Sequence, residues 1–125
     1  MNRDASAFIL LLVLCSALVL LAEIGITYAG GTIYIRVDGS IEGTIEIQRD
    51  GNVYTFTGDI SDSLVVERDN IVVDGAGHVL EGAGVGRGIF LDGRSNVTIK
   101  NITIREFDFG IDLWNSSGNT ISANA

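Results

Sequence analysis

"GIFLDGRSNVTI", Gly88 to Ile99, and "GIDLWNSSGNTI", Gly110 to Ile121, are two versions of one phrase. Gly88 aligns with Gly110, Ile89 with Ile111, Leu91 with Leu113 and Ile99 with Ile121, each pair 22 residues apart. A looser copy lies upstream in "RDNIVVDGAGHVLEGAGVGRG", where Val73 precedes Ile99 by 26 residues and the extra residues fall in the glycine-rich part. A period of this length, holding several short strands, predicts a parallel β-helix. Each coil cannot bury its apolar face alone and must stack on its neighbours.

The rest of the exported region agrees with an all-β chain. Apolar residues alternate with period two at Ile33, Ile35 and Val37, at Ile45 and Ile47, at Ile71 and Val73, at Val97 and Ile99, and at Ile102 and Ile104. Alternation over short segments separated by "DG", "GDIS", "DGAG" and "DGRSN" reads as short strands joined by tight turns. No stretch after residue 30 holds a helical apolar pattern for long. The absence of proline suits strands paired on both sides, where every backbone N–H is used.

Upstream, "AFILLLVLCSALVLLA", Ala7 to Ala22, follows Arg3 and precedes small residues at Thr27 and Ala29. This pattern predicts an export signal over residues 1–29, cleaved after Ala29, with retention as a membrane anchor as the alternative. Leu14 before Cys15 argues against a lipoprotein signal. The expected organisation is therefore a signal over 1–29, a β-strand leader or cap over 30–69, and repeats over 70–125 that are truncated at the carboxyl end. An uncapped last coil would offer a surface for end-to-end self-association. The expected location is secreted or at the cell surface.

Composition narrows the function classes. From Gly30 onward 14 acidic and 7 basic residues leave a net charge of −7, which repels nucleic acid phosphates. The same part has no cysteine, no methionine and one histidine, His78. Copper, which needs clusters of such side chains, is not supported. "GAGVGRG", Gly82 to Gly88, lacks a following Lys-Ser/Thr and does not open a helix, so it is a coil insertion rather than a phosphate loop.

Asparagine recurs just before apolar strand starts at Asn70, Asn96 and Asn119, and again at Asn101 and Asn124. Asparagine tolerates left-handed backbone angles, so these positions are expected at repeated turns, their amides bonding along the stack. Three of the asparagines, Asn96, Asn101 and Asn115, also begin Asn-X-Ser/Thr triplets and are candidate N-glycosylation acceptors, with Asn115 the favoured one.

"NIVVDGAGHVLEGAG", "GIFLDGRSNVTIKNITI" and "FDFGIDLWNSSGNTISANA" together resemble the right-handed parallel β-helix repeats of NosD-like exported proteins, over Asn70 to Ala125. The preceding "YIRVDGSIEG" and "RDGNVYTFTGDISDSLVVERD" are similar to leaders of archaeal surface proteins. The resemblance implies a pectin-lyase-like solenoid with a three-sided cross-section. It is specific for fold and unspecific for activity.

Lyases and hydrolases of that scaffold present carboxylates on a sheet face, as acid, base or calcium ligands. Here Asp92, Asp108, Asp112 and Trp114, with Phe107, Phe109 and Arg105 nearby, form the candidate carbohydrate-facing patch. No catalytic residue is expected in this segment. Calcium through Asp74, Asp92 or Asp108 has little support, because the acidic nonapeptide of calcium-loaded β-rolls is absent. The expected role is extracellular binding of a polysaccharide or cell-envelope component. The alternative is a polysaccharide lyase or glycoside hydrolase whose catalytic coils lie outside these residues.

Overall fold

The computed structural model describes residues 31–125. The expected signal over 1–29, its cleavage after Ala29, and Cys15 lie outside the described residues. Thr32–Ala125 forms one compact unit. Among the described residues there are strands and turns and no helix, so none could cross a membrane as an apolar helix.

Chain order is β1 (Thr32–Ile35), β2 (Ile41–Glu42), β3 (Ile47–Asp50), β4 (Val53–Phe56), β5 (Ser63–Val66), β6 (Val72–Asp74), β7 (Val79–Glu81), β8 (Arg87–Asp92), β9 (Thr98–Lys100), β10 (Thr103–Arg105), β11 (Phe109–Trp114) and β12 (Thr120–Ser122). Three sheets collect them. Sheet A has the order β11-β8-β5-β1-β2, sheet B β12-β9-β6-β4-β3 and sheet C β10-β7. From β5 onward the chain visits A, B and C in turn, and each visit adds a parallel strand beside the previous one.

The leader strands belong to the same sheets. β1 pairs in parallel with β5, and β4 with β6, while Ile60 forms a parallel bridge with Leu80 on the side of sheet C. The antiparallel partners β2 and β3 then cover the outer edges of β1 and β4. Two sheet edges that would otherwise present unpaired N–H and C=O groups are thereby closed.

Register follows the sequence repeat. Ile89 pairs with Ile111, Leu91 with Leu113 and Ile99 with Ile121, and Val73 pairs with Ile99. The period-two side-chain geometry of a strand sends these residues inward together. The result is a set of apolar ladders: Ile33, Leu64 and Ile89; Ile35, Val66 and Leu91; Tyr54, Val73 and Ile99. All nine are buried. Burying one such side chain contributes roughly 1.5–3 kcal/mol, and each ladder residue is covered by the strands before and after it. Tyr54 is the one polar-tipped member, and its hydroxyl donates to the Gly39 carbonyl at 2.7 Å. On the last strands the same ladders are only partly covered, with Leu113 39% and Ile121 45% exposed.

The turns repeat as strictly as the strands. Before β4, β6, β9 and β12 the equivalent residues Gly51, Asn70, Asn96 and Gly118 have φ of 60°, 59°, 56° and 65°. This left-handed conformation costs other L-residues roughly 1–2 kcal/mol, which confines the position to glycine and asparagine. The longer spacing between Val73 and Ile99 comes from two corners. Residues 75–78 replace the two-residue turn 101–102, and residues 82–86 replace the three-residue turn 106–108.

Candidate functional site

Because Ile33, Leu64, Ile89 and their neighbours point inward, the alternate residues of sheet A form its outer face. Tyr34, Val65, Phe90 and Asp112 lie in one cross-strand row, and Asp92 stands opposite Trp114 at the carboxyl ends of β8 and β11. Adjacent strands are about 4.8 Å apart, so neighbouring members of a row are in side-chain reach.

Three arginines lie across this face, each tied to carboxylates. Arg36 donates to Glu42 at 2.6 Å and to Glu67 at 2.8 Å, and its guanidinium sits 4.0 Å from the Tyr34 ring centre. The bonds to Glu42 first, then Glu67, push its pKa up. Arg87 pairs with Asp112 at 2.6 Å and lies 4.3 Å from the Phe90 ring centre. Arg94 is 3.5 Å from Asp69 and donates to the carbonyls of Glu67 and Asp92. Guanidinium groups therefore lie against Tyr34 and Phe90.

Two rings remain bare. Phe109 is 60% and Trp114 61% exposed, at opposite ends of β11. Beside Trp114, the Asp92 carboxylate has no ion-pair or hydrogen-bond partner among the described residues. Toward the amino ends of the strands a groove of about 410 Å³ crosses the sheet, lined by Thr32, Ser63, Val65, Arg87, Phe90 and Phe109. Hydroxyls, an aliphatic floor and aromatic walls meet there.

Of the candidate patch residues, Asp92, Asp112 and Trp114 share this outer face. Asp108 precedes β11, where its carboxylate accepts the Gly86 N–H at 2.9 Å and fastens the glycine-rich corner to the next turn of the chain. Phe107 is not part of the patch. Its ring packs against the core, at positions where a Cβ on Gly82 or Gly88 would collide with it. Arg105 lies on sheet C, 3.2 Å from Glu81. Thr32, Ser63 and Val65 lie on β1 and β5, outside the 22-residue repeat, and Arg87 and Phe90, on the same strand as Asp92, carry no polar pattern that the repeat alone marks as a site. Only the in-register stacking of the strands brings them together with β11.

The asparagines divide into two roles. Asn96 donates its side-chain amide to the side-chain Oδ1 of Asn70 at 2.9 Å, the expected bond along the stack. Asn119 and Asn124 sit one position later than the left-handed residues. Asn119 accepts the Val97 N–H and donates to the Arg94 carbonyl; Asn124 does the same for Ile102 and Ile99. Each amide thus satisfies backbone groups of the preceding turn. Asn101 donates to Asp74 at 3.1 Å, and the hollow of about 330 Å³ at this corner is lined by both residues. Asn115 is exposed, with φ of 49°, and its side chain makes no hydrogen bond among the described residues.

Asp74, Asp92 and Asp108 lie at different corners and do not converge. Among the described residues no group of three or more His, Cys, Asp or Glu side chains could hold a metal ion. His78 sits in a turn, its Nδ1 3.4 Å from the Asp59 carboxylate.

No family model matches the chain, and no curated protein or solved structure matches it.

Proposed function

We propose that the chain is an exported cell-surface protein of NosD-like type, its stacked sheets forming a right-handed parallel β-helix, and that the outer face of sheet A binds a polysaccharide or a carbohydrate of the cell envelope. The observation that carries this reading is the pair of bare rings on β11 with a free carboxylate beside one of them. A sugar ring has apolar C–H faces and a rim of hydroxyls. Aromatic rings take the first, and carboxylates and side-chain hydroxyls bond the second. The repeated strands set these groups along a face wide enough for several sugar units. Binding, rather than bond cleavage, is the activity this arrangement supports.

Trp114 is the only tryptophan in the chain, so its fluorescence reports this face alone. Titration with polysaccharides, including an extract of the producing cell's envelope, is expected to give a saturable change in intensity and wavelength. Emission that ignores every glycan, at concentrations where the extract is in large excess, refutes the proposal.

A further inference from the structure

We propose that the ligand of this face is an uncharged glycan, and that acidic polysaccharides are excluded from it. The inference rests on the carbohydrate-binding reading above and narrows it to a substrate class.

A face that captures uronate, sulfate or phosphate groups needs cations that are free to pair with them. Three arginines of sheet A are already paired with carboxylates, and Arg68, just past β5, donates to the Val37 carbonyl. Arg36 is held by Glu42 and Glu67, Arg87 by Asp112, and Arg94 by Asp69. An anionic sugar approaching one of these guanidiniums would share it with a carboxylate already beside it, and would meet that carboxylate's charge as well as the cation's. Asp92, next to Trp114, adds a negative charge with no counterpart on the face. The net charge of the whole chain, −8, sets a repulsive background for any polyanion.

What the face does leave open suits an uncharged ligand. Phe109 and Trp114 offer ring surface, Thr32 and Ser63 offer hydroxyls in the groove, and Asp92 offers an acceptor for sugar hydroxyls. Pairing also holds Arg36 and Arg87 over the Tyr34 and Phe90 rings. Side chains already held lose less freedom on binding. A cationic glycan would gain from Asp92 alone, since Asp112 and Glu67 are already committed to arginines.

The test is calorimetry of the full chain with four probes: cellohexaose and mannohexaose as neutral chains, hexagalacturonate as an anionic one and a chitosan hexamer as a cationic one. Each is measured in salt from about 0.05 to about 0.5 M, a range that collapses the screening length. The expected result is that at least one neutral probe binds with an affinity indifferent to salt. Phe109→Ala and Trp114→Ala should each weaken it about tenfold, as expected for truncating an aromatic anchor. Both side chains are mostly exposed, so neither truncation removes core, and an unchanged melting temperature checks this. Salt-sensitive binding of hexagalacturonate or of the chitosan hexamer in preference to the neutral chains overturns the inference and leaves the carbohydrate-binding reading standing. Failure of all four probes to bind overturns that reading, and the inference with it.

Discussion

Replacing Asn96 with alanine and, separately, with glycine isolates what the recurring asparagine does. Asn96 holds φ of 56° and donates to Asn70 at 2.9 Å. Alanine loses the hydrogen bond, a net contribution of about 1 kcal/mol. It also places a Cβ with no compensating polar group in the left-handed region, at roughly 1 kcal/mol more. Glycine loses the same bond but adopts this backbone freely, and its greater freedom when unfolded cancels only part of that advantage. The equivalent positions before β4 and β12 are already glycine, Gly51 and Gly118, so the turn accommodates it. The expected destabilisation is therefore about 2 kcal/mol for Asn96→Ala and about 1.5 kcal/mol for Asn96→Gly. For a unit of this size the difference corresponds to roughly 2–4 °C in melting temperature. Urea unfolding followed by circular dichroism, on protein made in a host that does not glycosylate, measures both variants without interference from a sugar. Equal stability of Asn96→Ala and the parent, or a glycine variant less stable than the alanine one, would refute the assignment of Asn96 to architecture.

Gly75→Ala should destabilise by about 1–3 kcal/mol, because its Cβ would fall inside contact distance of the Ile102 side chain and the Asn101 carbonyl; a neutral effect on the urea midpoint would show that the two turns are not packed as described. Acid should unfold the protein through carboxylates whose pKa is held down: Asp38 by the Ser40 hydroxyl, Asp59 by the Val79 N–H and Asp74 by the Ala76 N–H. A depressed folded pKa gives stability that is complete above the ordinary carboxylate value of about 4 and is lost as pH falls through the lower folded value. Asp62, pushed up by burial, works in the opposite direction and offsets part of this. Melting temperatures from pH 7 to pH 2 should fall below about pH 4, with a shallower fall in Asp74→Asn; a rise toward acid would contradict the assignment. Peptide mapping of protein from glycosylating cells should find sugar on Asn115 ahead of Asn96 and Asn101, whose amides are engaged with Asn70 and Asp74. Preferential occupancy of Asn96 would mean that the amide ladder opens readily.

Much of the fold was legible because the repeat is carried by inward residues. Ile89 and Ile111, Leu91 and Leu113, and Ile99 and Ile121 align in sequence for the same reason that they pair in space: stacked strands must present matching apolar faces. The leader was harder to read. β1 and β4 belong to the same sheets as the repeats, but the β2 and β3 segments between them break the spacing. Asn119 looked like one more left-handed asparagine, whereas Gly118 takes that conformation and Asn119 bonds the backbone beneath it. A one-residue offset changes the role entirely and leaves no mark on composition. The site was legible only in part, since Asp92, Asp112 and Trp114 lie on the two most similar repeats. The arginine pairs depend on registers between strands up to 31 residues apart, as for Arg36 and Glu67, and Phe107 turned inward because Gly82 and Gly88 leave it room.

The most direct measurement is the map of amide and indole chemical shifts in the isotopically labelled protein as a neutral hexasaccharide is added. Shifts are expected on outward residues of β8 and β11, with the Trp114 indole N–H and the amides of Phe90, Phe109 and Asp112 moving together while the asparagine turns stay still. Shifts centred on Asn96, Asn101 and Asp74, with the Trp114 indole unmoved, would place any ligand on the wrong side of the molecule and contradict the account.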